Sequence, residues 1–293
     1  MADTRFTGTG VAIVTPFNDD FSVDYPSLEK ITDHCITNGV SYIVVLGTTG
    51  ESATLTKDEK KQVVKTVISA AAGRVPIVIG IGGNFTQEVT ETIKNTDFKG
   101  IDAILSVSPY YNKPNQNGIY EHYKAIAAVS PLPIILYNVP GRTSMNMTSQ
   151  TILQLAHDFK NIIAVKEACG NLVQAMEVMK DKPSDFAVIS GDDALTLPMI
   201  SVGAVGVISV IANSHPKEFS IMVDEAIGGN YPLARKASLE LLETINLLFA
   251  DGSPAGVKAV LEMKKLCKNI VRLPLVPVSD NIYKKLHDVV FAK

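Results

Sequence analysis

Residues 162–192 read IIAVKEACGNLVQAMEVMKDKPSDFAVISGD. Two short apolar runs, IIAVKEA (162–168) and FAVISGD (186–192), flank a stretch of helical spacing over Leu172–Lys180. Runs this short with apolar residues on both faces suit strands inside a parallel sheet, and the intervening helix supplies the crossover. Side-chain alternation predicts that Lys166 shares a face with Ile162 and Ala164 while Glu167 points the other way. A charge thus arrives at the carboxyl end of a buried strand, and its neighbour in sequence cannot neutralise it.

Outward from this unit the same pattern repeats. VAIVTPF (11–17), YIVVLGT (42–48), PIVIGIG (76–82), AILSVSP (103–109), PIILYNVP (133–140) and GVISV (206–210) complete a set of eight strand candidates. Helical patterns follow at Ser27–Asn38, Lys57–Ala72, from about Thr86, from about Gly118, at Ser149–His157 and near Thr196. Thr56 can cap the second of these and Gly73 can end it. No hairpin signal intervenes, so the pattern predicts an α/β fold, a (β/α)8 TIM barrel over residues 1–225. A C-terminal helical appendage over 226–293 is expected, with helix-like segments near 216–228, 232–250 and 255–268 across that boundary. The proline-rich RLPLVPVSD (272–280) is expected to be extended.

Composition narrows the function classes. The chain has 293 residues, 46% hydrophobic and 19% charged, with a net charge of −3 and no basic block. This charge balance argues against nucleic acid as a partner. No apolar run approaches a membrane span, and MADTRFTGTG at the start lacks the pattern of a signal peptide. Cys35, Cys169 and Cys267 are odd in number and show no CxxC spacing, as expected of free thiols in a cytoplasmic protein.

A barrel's chemistry lies at the carboxyl ends of its strands. Those ends collect Thr15; Gly47, Thr48, Thr49, Gly50 and Glu51; Ser108, Tyr110 and Tyr111; Tyr137, Asn138 and Arg142; Lys166; Gly191, Asp192 and Asp193; and Ser209. Lys166 is either a packing residue with its head in solvent or a nucleophilic amine. Freeing a lysine of its proton near neutral pH costs roughly 4 kcal/mol, which only a dedicated site sustains. In GTTGE (47–51) two glycines flank two hydroxyls on a tight turn, which is either a glycine-permitted βα turn with no ligand or a cradle suited to a carboxylate. Gly80, Gly82 and Gly83 lack the third glycine of a dinucleotide fingerprint, and the five histidines show no zinc-ligand spacing.

GTTGE, SPYYNKP, YNVPGRT, VKEA and SGDD, in this order and at strand ends, resemble the dihydrodipicolinate synthase branch of the pyruvate-dependent class I aldolases. The resemblance runs from about Phe6 to Pro277. It implies that Lys166 forms a Schiff base with pyruvate and that Thr48 and Thr49 hold the pyruvate carboxylate. Tyr137 then shuttles protons through Thr48 to a Tyr111 donated by a neighbouring subunit. Arg142 recruits the carboxylate of aspartate semialdehyde, and backbone carbonyls near Gly191 and Ile208 line the site. It further implies a homotetramer and no metal or organic cofactor. The family's Asn-Pro-Ile-Pro stretch is replaced by Gly252-Ser253-Pro254-Ala255-Gly256, to which no catalytic role is assigned. A lysine-binding regulatory pocket would map to Lys57, Lys60, Asn84, Glu88 and Tyr110. Lys57 and Lys60 stand where histidines are common; either they form the solvated face of an amphipathic helix or they oppose a cationic effector, and in both cases weak or absent inhibition by lysine is expected. Sialic acid or sugar-acid lyases, a metal-dependent aldolase and a non-catalytic 2-oxo acid binder are the alternatives.

Overall fold

The structure, a computed structural model, describes residues 3–291. Eight parallel strands close into a barrel in sequence order: β1 Gly8–Ala12, β2 Tyr42–Val45, β3 Ile77–Gly80, β4 Ala103–Val107, β5 Ile134–Asn138, β6 Ile162–Glu167, β7 Ala187–Ser190 and β8 Gly206–Ser209. β1 pairs with β8, which closes the ring and leaves no open edge. Almost every strand position is buried because helices cover the outside while the strands' other face fills the interior.

The two faces form separate apolar clusters. Inside are Ala12, Val44, Val78, Leu105, Ile135, Ala164, Ile189 and Ile208, while outside Val11, Ile43, Ile79, Ile104, Leu136 and Val165 meet the helices. Each fully buried Ile, Leu or Val contributes on the order of 1.5–3 kcal/mol. At the amino end Phe6 and Tyr42 plug the barrel, their rings edge to face at 5.6 Å, with the Tyr42 hydroxyl donating to the Val207 carbonyl at 3.1 Å. The carboxyl end stays open.

β6 departs from simple alternation. Ile134 pairs with Ile162 but Ile135 pairs with Ala164, so Ile163 is an extra residue, a bulge. Ile162 therefore packs outside, whereas Ile163 and Ala164 both turn inward. Lys166 shares its face with Ala164 but not with Ile162, which corrects the alternation expected from sequence. Glu167 does point outward.

The helices follow their signals closely. Lys57–Ala71 opens on a capping box: Thr56 Oγ1 accepts from the Glu59 amide at 3.2 Å, and Glu59 Oε2 accepts from the Thr56 amide at 2.8 Å. The other crossover helices span Tyr25–Thr37, Thr86–Lys94, Gln116–Val129, Ser149–Asp158, Leu172–Asp181 and Thr196–Ser201. After β8 the chain continues through Pro216–Ile227, Tyr231–Ala250 and Ala255–Met263. The last ends before the expected 268 and is followed by a non-helical stretch and a further helix, Asp280–Phe291, which the sequence reading did not expect. The first strand lies three residues earlier than VAIVTPF. Ile13, Val14 and Phe17 are buried beyond the strand's end, and the run's apolarity reports burial more than pairing.

Candidate active site

Lys166 and Tyr137 are register partners on β6 and β5, so their side chains leave the barrel side by side. The Lys166 Nζ stands 4.2 Å from the centre of the Tyr137 ring. Lys166 is 5% exposed, and its ammonium makes no hydrogen bond to any described residue. The inner cluster of Ala164, Leu105 and Ile135 forms an apolar floor below it. Gly191, after β7, leaves room for its stem. A Cβ there would lie 3.1 Å from both Cγ and Cε of Lys166 and 2.6 Å from the Ala168 Cβ.

The GTTGE turn stands over β2. Thr48–Gly50 form one 3₁₀ turn, closed by the Gly50 amide to the Gly47 carbonyl at 3.1 Å and the Glu51 amide to the Thr48 carbonyl at 3.0 Å. Thr48 is exposed toward the opening and Thr49 is buried. A continuous cleft of about 2260 Å³ is lined by Thr48, Thr49, Tyr137, Arg142, Lys166 and Gly191. Its outer arm passes Lys57, Lys60, Asn84, Glu88 and Tyr110, with Asn84 Nδ2 donating to the Tyr110 carbonyl at 3.3 Å. Arg142, on the single turn Pro140–Thr143, is exposed and its guanidinium has no hydrogen-bond partner among the described residues. Ser253, from the Gly252–Gly256 departure, also borders the cleft.

Two expected residues are placed apart from this group. The Ile208 side chain is buried in the barrel interior, so only its backbone can face the mouth. Tyr111 is 88% exposed, has a left-handed φ of 68°, and does not line the cleft of its own chain. Among the described residues no hydrogen bond joins Thr48 to Tyr137 or Tyr111, so the hydroxyl relay is not closed within one chain.

Behind the lysine, the outward Glu167 is buried without a cation partner among the described residues. Its carboxylate accepts from Asn138 Nδ2 at 3.0 and 3.1 Å, Gln174 Nε2 at 3.1 Å and the Cys169 amide at 2.8 Å. This network ties β5, β6 and the Leu172–Asp181 helix together directly behind the Tyr137–Lys166 pair. Next to β8, Asp193 accepts from the Val210 amide at 3.1 Å and the Ile211 amide at 2.9 Å. Burial pushes its carboxyl up to about 6, against the opposing pull of these hydrogen bonds.

Sequence reasoning gave no role to Gln174, nor to Lys258, which is fully buried on the Ala255–Met263 helix and ion-paired with Glu51. A signal for Lys258 existed. It is the one charge in AGVKAVL (255–261), a stretch whose other residues are all apolar, and all seven positions are buried.

The comparisons agree along the whole chain. The "Dihydrodipicolinate synthetase family" matches residues 5–293. A 4-hydroxy-tetrahydrodipicolinate synthase of Parabacteroides distasonis is 54% identical over 289 residues, covering 99% of this chain and 97% of that protein. The solved dihydrodipicolinate synthase from Aquifex aeolicus superposes with a TM-score of 0.94 at 40% identity, covering 97% of each chain. A solved structure described as a monomeric dihydrodipicolinate synthase variant gives 0.95 at 37% identity, covering 98% of this chain and 96% of that one. With its lysine, tyrosine and paired threonines gathered at the mouth of a closed barrel, and with these relatives matched end to end, the chain belongs to the dihydrodipicolinate synthetase family.

Proposed function

We propose that the protein is a 4-hydroxy-tetrahydrodipicolinate synthase, condensing pyruvate with L-aspartate 4-semialdehyde in lysine and diaminopimelate biosynthesis. The observation that carries this reading is Lys166: a shielded amine without a hydrogen-bond partner among the described residues, beside Tyr137 and facing the same cleft as Thr48 and Thr49. The Lys166 nitrogen attacks the keto carbon of pyruvate, and loss of one water leaves a protonated iminium. That iminium withdraws electrons, so a methyl proton leaves and an enamine forms. The enamine carbon attacks the aldehyde carbon of the semialdehyde. The semialdehyde's own amine then adds to the iminium carbon and releases Lys166, closing the ring.

Within this scheme Thr48 and Thr49 hold the pyruvate carboxylate, and backbone near Gly191 and Ile208 borders the adduct. Tyr137 moves the protons. Arg142, whose guanidinium is unpaired among the described residues, offers a bidentate grip to the second carboxylate from the opening. The exposed Tyr111 supports its donation to a neighbouring subunit, hence an assembly of at least two chains and, by the resemblance, a tetramer. The outer arm at Lys57, Lys60, Asn84, Glu88 and Tyr110 is the proposed regulatory pocket. No metal or organic cofactor enters the scheme. No described helix is long and apolar enough to cross a membrane, and a cytoplasmic location is proposed.

Borohydride reduction in the presence of pyruvate tests the scheme. A reduced three-carbon adduct is expected on the Lys166 peptide, with activity lost, and a chelator is expected to leave activity unchanged. An unmodified Lys166 peptide would overturn the reading.

A further inference from the structure

The turn that carries Thr48 and Thr49 is held from two sides. From the barrel, Thr15 Oγ1 donates to the Gly50 carbonyl at 2.7 Å, and the chain is pressed so close to β1 that a Cβ at residue 50 would lie 3.1 Å from the Ile13 carbonyl. From the other side the hold is Glu51. Its backbone is left-handed, φ 50° and ψ 34°, a conformation that residues with a side chain adopt reluctantly. Its buried carboxylate reaches into the C-terminal region. One oxygen accepts from Lys258 Nζ and the other from the Arg272 amide at 2.9 Å.

Lys258 has no freedom to release it. It is 0% exposed, its Nζ also donates to the Ile270 carbonyl at 2.8 Å, and it stands 4.1 Å from the centre of the Phe17 ring. A buried ion pair is a poor source of stability compared with apolar residues of the same volume; what it enforces is a single arrangement. Here the arrangement enforced is that of the residues two and three places before Glu51.

We propose that Lys258 and Glu51 are positioning residues for the carboxylate cradle, so that the C-terminal helical region is a working part of the pyruvate site. This rests on the reading of Thr48 and Thr49 given above. Both act through the pose of the turn, their side chains bonded to each other and 0% and 1% exposed.

The test compares parent protein, Lys258→Met, and the neutral pair Glu51→Gln with Lys258→Met. Thermal stability, the pyruvate concentration that half-saturates the borohydride-trapped adduct, and the KM for aspartate semialdehyde are measured on each. Lys258→Met is expected to raise half-saturating pyruvate about tenfold or more while the aldehyde KM stays within about twofold. The neutral pair removes the stranded carboxylate and is expected to recover thermal stability without recovering pyruvate affinity. If Lys258→Met does not fold, the neutral pair decides alone. Half-saturation within about twofold of parent in a folded variant would overturn the proposal and leave the pair a purely structural bond. A parent protein that forms no adduct at all would instead overturn the pyruvate reading itself, so the two failures are distinct.

Discussion

Lys166 and Lys258 are both shut away from solvent, 5% and 0% exposed, and each ammonium stands over an aromatic ring, 4.2 Å from the centre of Tyr137 and 4.1 Å from that of Phe17. Their other neighbours differ completely. Lys258 spends its hydrogens on Glu51 and the Ile270 carbonyl, whereas Lys166 has no protein acceptor among the described residues. The arginines repeat the contrast. Arg272 donates to Glu59 at 3.0 Å, to the Thr54 carbonyl at 2.8 Å and to the Phe21 carbonyl at 2.7 Å, while Arg142, at the mouth, has no hydrogen-bond partner among the described residues. At the junction between barrel and C-terminal region, cations are satisfied and fix shape. At the mouth they are left wanting, and a substrate can supply what is missing. Burial alone does not separate these roles; hydrogen-bond saturation does.

The contrast is broken most directly at Lys166. Lys166→Met is expected to lower activity by about 10⁴-fold or more while the melting temperature holds or rises, because a buried polar head with no hydrogen-bond partner among the described residues is removed. A calorimetric scan beside the assay checks both. A clear loss of stability would mean that Lys166 is held for shape after all.

Arg142→Ala comes next. Loss of a charge-assisted grip predicts a fall of about 10–100-fold in kcat/KM for the semialdehyde, with pyruvate half-saturation and melting temperature unchanged. Loss of adduct formation at saturating pyruvate would place Arg142 on the wrong substrate.

The smallest effect belongs to the junction. Hydrogen bonds from Arg272 hold the Glu59 carboxyl down to about 2. A carboxyl lowered on folding contributes stability that is fully present above its unfolded value of about 4.5 and is lost as pH falls through about 2. Glu59→Gln is thus expected to lower the melting temperature by about 2–4 °C at pH 7, with the gap narrowing below pH 4.5. A pH-independent gap would show that the pair acts by packing.

Much of this was legible in the residues. Short apolar runs and helical spacing marked all eight strands and the crossover helices, because parallel strands are buried on both faces; only at the first strand did the run lie mostly beyond the strand, at Ile13, Val14 and Phe17. Lys166, Tyr137 and the GTTGE turn stood out by convergence: each alone could be a packing feature, but several polar groups meeting at the strand ends are harder to explain that way. What stayed hidden depends on distant contacts. Gly8 and Gly10 are weak strand formers, and pairing with β8 and β2 makes them strand. Lys258 lies 207 residues from Glu51, so local pattern cannot announce the pair. The Asp280–Phe291 helix was masked by the proline stretch before it, although Ile282, Tyr283, Leu286 and Val290 share one face.

The bulge at Ile163 has a consequence for anyone moving this strand between barrels. Below it the side-chain alternation is set by the loop that enters β6; above it, by Glu167 bonded behind the sheet and Lys166 beside Tyr137. The extra residue absorbs the mismatch between those two frames. Grafting must therefore count backward from the lysine, not forward from the strand's start. A one-residue change of length in the entering loop can be taken up at the bulge, whereas one inserted between Ala164 and Lys166 would exchange acid for amine at the centre of the barrel.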